Sequence, residues 1–494
     1  MLIGGNSMRV SQLFGISGSQ GTFDFIDVDV EKDTPLFIDP AVLTHLNSPW
    51  AQSCAAAVQG FFQSVLDKIV AGDGAGARSL LSHLGEENAT HLGYSGESRG
   101  SGVGQGLAER FYEELSTSEA VRTGLITDLE DTALLVEGVR EDRISDVVTN
   151  IIRRQLVDFT QDAARFYGIP LSPGVAVGPY WDTARKSWKQ DTFDLPVTAH
   201  GPLILVPKAI VRRSLFFNPG EYYTHYVLEY LKVRELNDAQ SPLVYLVKGS
   251  PRVLKKDVEA KARRAQRGSG RGIEKRINVE TTKDNPDLLA VYKRSKSDEP
   301  PSPQPHEVIA EVTGTVEPDL QSLLKAVHDC SPGDADAHKY ERAVEALLSA
   351  LFYPTLANPI RQEAINEGRK IIDITFTNTG GPQDFFGWLG QHFPAANIVV
   401  ECKNYTRPLK NPEYDQIAGR FSPSRGKYGI LVYRSLEDRA KLLASCRDAA
   451  KDDRGFITAL DDHDLSLLVD EALAQGSAAS LGGLLHQRFK ELIA

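Results

Sequence analysis

Sulfur is scarce in this chain: 494 residues contain four cysteines and two methionines. Cys54, Cys330, Cys402 and Cys446 stand far apart and form no C-x-x-C pair, which argues against a zinc ribbon or a disulfide framework and for a reducing cytoplasm. No apolar run approaches the ~20 residues that a bilayer crossing needs, so no membrane partner is expected. The first residues lack the charged-then-apolar profile of a secretory signal. Eleven histidines include no H-x-x-x-H or comparable pair, which leaves a histidine metal site without support. Positive charge is short as well, with 55 Lys and Arg against 66 Asp and Glu and a net charge of −11. That average speaks against a nucleic-acid partner only for the chain as a whole, because a binding groove needs only local positive potential.

What is present begins with an ordinary globular composition, 41% hydrophobic and 24% charged. The length predicts two or three domains. Two stretches run against the acidic average. Arg252 to Arg276 carries ten Lys and Arg against three acids, and Lys403 to Lys441 carries nine against four. The first stretch is poor in apolar residues and interrupted by glycine, so it is expected to be a flexible linker. The proline-dense "SKSDEPPSPQPHE" (295–307) follows it and predicts a boundary. The expected units are residues 1–298 and 306–494.

The N-terminal unit reads as mixed α and β. "FDFIDVDV" (23–30), "PLILVP" (202–207) and "PLVYLV" (242–247) predict strands, and 144–170 predicts a long helix stopping at Gly168. Asp27 and Asp29 are expected on a solvated strand face rather than around a cation. Tyr222, Tyr226 and Tyr230 share one helical face, which predicts packing rather than a base-stacking platform. The glycine-rich 93–110 lacks the lysine of a P-loop and is expected to be a loop. Nothing in this half announces a chemistry.

The C-terminal unit does. In "IVVECKNY" (398–405), alternation puts Val399, Glu401 and Lys403 on one face of a strand and Ile398, Val400 and Cys402 on the other. Upstream, "RKIIDITFTN" (369–378) is an apolar strand interrupted by Asp373. If the two strands are neighbours, Asp373 and Glu401 can converge on one cation. Mg²⁺ prefers such hard oxygens and takes one or two protein carboxylates plus substrate phosphate. Lys403 beside it can orient a water and offset charge on a phosphorane. A helix over 338–354 precedes the pair, with an apolar stripe of Tyr340, Val344, Leu347, Leu348 and Leu351. Glu341 and Glu345 lie four apart on a neighbouring face. After the pair come a short helix carrying Gln416 and Arg420, the strand "KYGILVYR", and a closing strand and helix over 455–473. Arg407, Arg420, Arg425 and Lys427 are candidate contacts to nucleic-acid phosphates, with solvated surface charge as the alternative.

This order resembles the PD-(D/E)xK restriction-endonuclease-like superfamily, and is most similar to its Mrr-type branch, whose first helix carries F/Y-E-x-x-V-x-x-L-L. Here that helix reads Tyr340-Glu341-Arg342-Ala343-Val344-Glu345-Ala346-Leu347-Leu348. The resemblance covers residues 336–475. It implies an α/β fold whose C-terminal domain has a mixed central sheet flanked by helices, beside a larger mixed α/β N-terminal region of unknown fold. It also implies that Asp373 and Glu401 are metal ligands, Lys403 the catalytic lysine, and Gln416 the glutamine that follows the motif. Glu341 would be the helix acid, with Glu345 as the alternative. Two departures stand out: Ile372 precedes Asp373 in place of the motif's proline, which is often missing in the superfamily, and the 28-residue interval to Glu401 contains "GGPQDFFGWLGQHFP", expected to be a substrate-touching loop.

The expected function is therefore a Mg²⁺-dependent endodeoxyribonuclease, with Mn²⁺ able to substitute. The resemblance places it in prokaryotic restriction or anti-phage defence, with other defence-system proteins as partners and a homodimer where both strands are cut. The alternatives are an inactive nuclease-fold protein that binds DNA or regulates, and a ribonuclease with the same site.

Overall fold

The computed structural model describes residues 8–85, 88–93, 104–266, 272–298, 301–365, 370–405, 416–434 and 439–493. It is a mixed α/β protein in which helix outweighs strand, 52% to 17%. Buried apolar side chains form two cores. One runs from Val10 to Ile309 and takes in Tyr353 and Ala357; the other runs from Leu324 to Leu492. Packing thus changes hands after Ile309, inside the segment that follows the proline-rich stretch.

The first core is built mainly of helices: α1 (Pro49–Val70), α2 (Glu141–Ile151) and α3 (Arg153–Tyr167) among them. The long helix expected over 144–170 breaks at Ile152 (φ −89°, ψ 13°), and α3 stops at Gly168, whose φ of 74° suits a residue without a Cβ. Residues 23–30 do not form a paired strand. They run buried through the core as irregular chain, with isolated bridges Phe25↔Pro207 and Arg9↔Asp29. Asp27 and Asp29 are accordingly buried, not solvated. Asp27 accepts the Ser11 amide (2.8 Å) and hydroxyl (2.6 Å), which satisfies it without a cation. Residues 203–206 are buried without pairing in a ladder. Tyr222 and Tyr226 stack at 6.2 Å, with Tyr292 5.1 Å from Tyr222, so these rings are packing. After them come α4 (Leu228–Asn237) and a hairpin of β1 (Tyr245–Val247) and β2 (Ser250–Arg252).

The expected basic linker is instead largely helical, as α5 (Lys255–Ala265) and α6 (Ile273–Asp284). Val258 and Ile277 tie these helices to the core. Lys261 pairs with buried Glu235 at 2.6 Å, and Lys275 donates to the carbonyls of Val136 and Val139. The partners lie far along the chain, so a local charge count could not see them. Of the glycine-rich 93–110, residues 94–103 lie outside the described residues. After the proline-rich stretch, α7 (His306–Thr313) packs Ile309 on the first core.

The second core surrounds one five-stranded sheet, in the order β3 (Leu356–Ile365), β4 (Lys370–Asn378), β5 (Asn397–Lys403), β6 (Tyr428–Tyr433) and β7 (Phe456–Leu460). β3, β4 and β5 are antiparallel neighbours, while β5–β6 and β6–β7 are parallel. Every residue of β6 is buried, as expected of a parallel strand covered on both faces. Helix α8 (Ala337–Leu351) buries Tyr340, Val344, Leu347 and Leu348 completely. The expected substrate loop between β4 and β5 is helix α9 (Phe385–His392), capped by Asp384, with Phe385, Phe386 and Leu389 in the core. It is structural because its apolar face is needed to cover the sheet. Helices α10 (Arg439–Lys451), α11 (Asp462–Gln475) and α12 (Leu484–Ile493) also pack on this core.

Candidate active site

The site forms where two strands part. The β4–β5 ladder runs from Thr377↔Asn397 to Ile374↔Val400 and ends there. One step beyond stand Asp373 and Glu401, both on the face opposite to the Ile374 and Val400 side chains. Asp373 Oδ2 accepts the Cys402 amide at 2.8 Å, so this carboxylate takes over an amide at the point where the strand pairing stops.

Glu401 is almost wholly buried, with 1% of its side chain exposed. Its Oε1 accepts from Arg420 Nε (3.1 Å); its Oε2 accepts from Gln416 Nε2 (3.1 Å) and, more loosely, from Lys403 Nζ (3.4 Å). Burial pushes its pKa up to about 6, and the nearby negative charge of Asp373 adds to the rise, against the opposing pull of Lys403 and Arg420. Glu341, on α8, is half-buried and also titrates above the usual carboxylate range. Burial is the main cause and Asp373 the second, while a hydrogen bond from the Gln362 amide, His338 and Lys403 oppose it. Glu341, Asp373, Glu401 and Lys403 therefore share one electrostatic environment.

Glu345 does not join them. It is buried against Arg361 Nη2 (2.7 Å), and Arg361 also holds Asp24 of the first core (2.8 Å) and the Tyr167 hydroxyl (3.1 Å). The helix acid at the site is Glu341. Gln416 is brought beside the strand acids by its hydrogen bond to Glu401. Arg420 belongs to it too, in a different role from the expected phosphate contact: it is buried and spent on Glu401. Arg425 donates to the Arg420 carbonyl (3.0 Å) and Lys427 pairs with Asp453 (2.7 Å), so both are engaged within the fold. Arg407 lies outside the described residues.

Two residues escaped the sequence reading. Arg420 as a support for Glu401 had a signal, its four-residue spacing from Gln416. Gln362 had none: it sits at a left-handed position of β3 (φ 48°), and its contact with Glu341 joins the strand to helix α8. Beside the site opens a cavity of about 890 Å³ between α3 and the α8–β3 wall, lined by Trp50, Phe159, Phe166, Glu341, Arg342 and Gln362 among others. The N-terminal unit thus reaches the edge of the site.

Among the described residues no group of three or more His, Cys, Asp or Glu side chains is gathered as a metal cluster. The two strand acids nevertheless suit a hard divalent cation, which needs only one or two carboxylates when substrate supplies further oxygens. The like-charge contribution of Asp373 to the raised pKa of Glu401 is the crowding that a dication relieves.

A family model described as a domain of unknown function (DUF8370) matches residues 15–218, within the first core and clear of the sheet. No curated protein and no solved structure matches the chain.

Proposed function

We propose that the C-terminal unit is a restriction-endonuclease-like domain and that the protein is a Mg²⁺-dependent nuclease hydrolysing DNA phosphodiesters. The observation that carries this reading is the placement of Asp373 and Glu401 on one sheet face where β4 and β5 diverge, with Lys403 and Glu341 in the same field. The order of a Tyr-Glu helix, an Asp strand, an E-x-K strand, a Gln-bearing turn of helix and a further buried strand supports it.

Asp373 and Glu401 would hold the cation, whose part is to acidify the attacking water and stabilise the leaving oxygen. The chain's own residues supply the rest. The Cys402 amide steadies the Asp373 carboxylate, while Arg420 and Gln416 orient Glu401. Lys403, only loosely tied to Glu401, is left to donate to the attacking water or to a non-bridging phosphate oxygen as negative charge builds there. Glu341, with its raised pKa, is placed to accept a proton from water near Lys403. The setting in restriction or anti-phage defence follows from the resemblance alone.

One observation favours a second reading. Both oxygens of Glu401 already carry hydrogen bonds, and an ion pair with Arg420 would also suit an inactive nuclease fold that only binds DNA. Plasmid DNA incubated with the protein and Mg²⁺ separates the two. Nicked or linear product is expected from the wild type, and a loss of about 10²-fold or more in Glu401→Ala and Lys403→Ala. Equal cleavage by all three proteins would remove the site assignment, and metal-independent DNA binding without product would favour the second reading.

A further inference from the structure

The hairpin of β1 and β2 is anchored at its base and bare at its tip. Val253 and Val258 are buried in the first core, and Leu243 and Val244 pack against it. Beyond them Tyr245, Leu246 and Val247 are 42, 71 and 45% exposed, and Ser250, Pro251 and Arg252 are exposed too. The two strands pair only with each other among the described residues. Lys248 and Gly249, both at positive φ (51° and 82°), make the tight two-residue turn that joins them. Three consecutive large apolar side chains left in water on a two-stranded ribbon are costly unless something covers them.

Charge calls for an anionic occupant. Between Asp238 and Asp257 the chain has no acid at all, yet it carries Lys248, Arg252, Lys255 and Lys256, within a protein of net charge −11. Lys255 is paired with Glu229 at 3.0 Å. Among the described residues no carboxylate is paired with Lys248, Arg252 or Lys256, all of them exposed. Arg252 stands opposite Tyr245 in the ladder, so it shares a ribbon face with Tyr245 and Val247, while Leu246 points to the other face. A two-stranded ribbon lying across a groove brings its turn to the groove's edge, and the major groove of duplex DNA, about 12 Å across, admits one.

We propose that this hairpin is a nucleic-acid-binding wing of the N-terminal unit: it inserts into a groove of duplex DNA, with Lys248 and Arg252 on phosphates and Leu246 against the groove interior. The choice of duplex DNA as the anionic partner rests on the nuclease reading, but the binding needs neither the metal nor the cleavage site.

The test is binding of the full-length chain to a fluorescent 30-base-pair duplex in EDTA, across a salt series. The Lys248→Ala/Arg252→Ala double variant is expected to bind about tenfold more weakly, with the slope of log K against log salt shallower by about 2, the share of two phosphate contacts. Leu246→Ser is expected to weaken binding about fivefold without changing that slope. Glu401→Ala is carried alongside, and its plasmid cleavage reports on the nuclease reading by itself. Far-UV circular dichroism and the urea midpoint check that the hairpin variants are folded. Duplex affinity and slope that match the wild type in both hairpin variants would overturn the wing, as would a wild type that binds no duplex. Binding of the wild type to phosphatidylserine vesicles, lost in the hairpin variants while duplex binding is unchanged, would overturn it in favour of a lipid surface.

Discussion

Glu401 shows how much of the proposed site is held in place by the residues behind it. A carboxylate buried to this degree stays useful only if its neighbours hold its charge, and Arg420 and Gln416 do so from one short turn of chain. Removing Arg420 leaves the acid buried with one oxygen unpartnered. Arg420→Ala is therefore expected to cost about 3 kcal/mol of stability, read as a lowered urea midpoint, and to raise the pKa of Glu401 further above about 6. In the metal-free protein, a pH titration followed by carboxyl-sensitive infrared absorption should show the buried carboxyl losing its proton at a higher pH than in the wild type. An unchanged titration would mean that Arg420 does not hold the charge. At this scale the tripeptide Glu401-Cys402-Lys403 was legible, because alternation along a strand needs no tertiary information. The partner Arg420 is visible as a residue, but its inward direction is not, since where a long side chain points depends on what it packs against.

At the scale of elements, helix α9 illustrates how close packing replaces an expected loop. The apolar pattern Phe385, Phe386, Leu389 was present in the sequence, but glycines and a proline around it suggested irregular chain. The glycines serve an approach instead. A Cβ on Gly387 would lie 1.8 Å from the Gly381 carbonyl oxygen, so helix and preceding turn fit only without a side chain there. Gly387→Ala is expected to displace α9 and lower stability by about 2 kcal/mol, measured by urea unfolding; a wild-type midpoint would show that the turn yields freely. Helix α5, from the basic stretch, carries the same lesson in reverse. Its charges looked like those of a linker, whereas Lys261 pairs with buried Glu235 and Val258 is buried in the core.

Across the whole molecule, the two cores are joined by buried ionic groups. Arg361 of β3 binds Asp24 in the first core and Glu345 of α8, with its guanidinium 3.9 Å over the Phe166 ring. Nearby, Lys208 is buried, donates to the Gly21 carbonyl (3.0 Å) and lies 4.2 Å over the Tyr353 ring. Burial pushes its pKa down to about 7, with Asp24 and Glu345 opposing and Arg361 assisting. A lysine whose folded value lies below its unfolded one costs stability most at pH below 7, and the cost fades as pH rises from 7 towards the ordinary lysine value. The wild type is expected to gain about 2 kcal/mol relative to Lys208→Met between pH 7 and about pH 9. Urea midpoints of both proteins at the two pH values check this, and parallel shifts would mean that Lys208 titrates normally. Because Glu345 lies one helical turn from Glu341, the same junction that joins the cores also fixes the helix that carries the site acid.

The sequence by itself determined what depends on near neighbours along the chain. It specified the strands that carry Asp373 and Glu401, the face that Glu401 and Lys403 share, the apolar stripe of α8, and the stop at Gly168, because periodicity and capping are local. Tertiary structure alone decided which acids meet, that Glu341 and not Glu345 belongs to the site, and that Arg420 turns inward. It also decided that Asp27 is satisfied without a cation and that the apolar residues of 245–247 face solvent. These rest on contacts, or their lack, between segments 16 or more residues apart, and burial, which sets their charges and hydrogen bonds, exists only once those segments are packed.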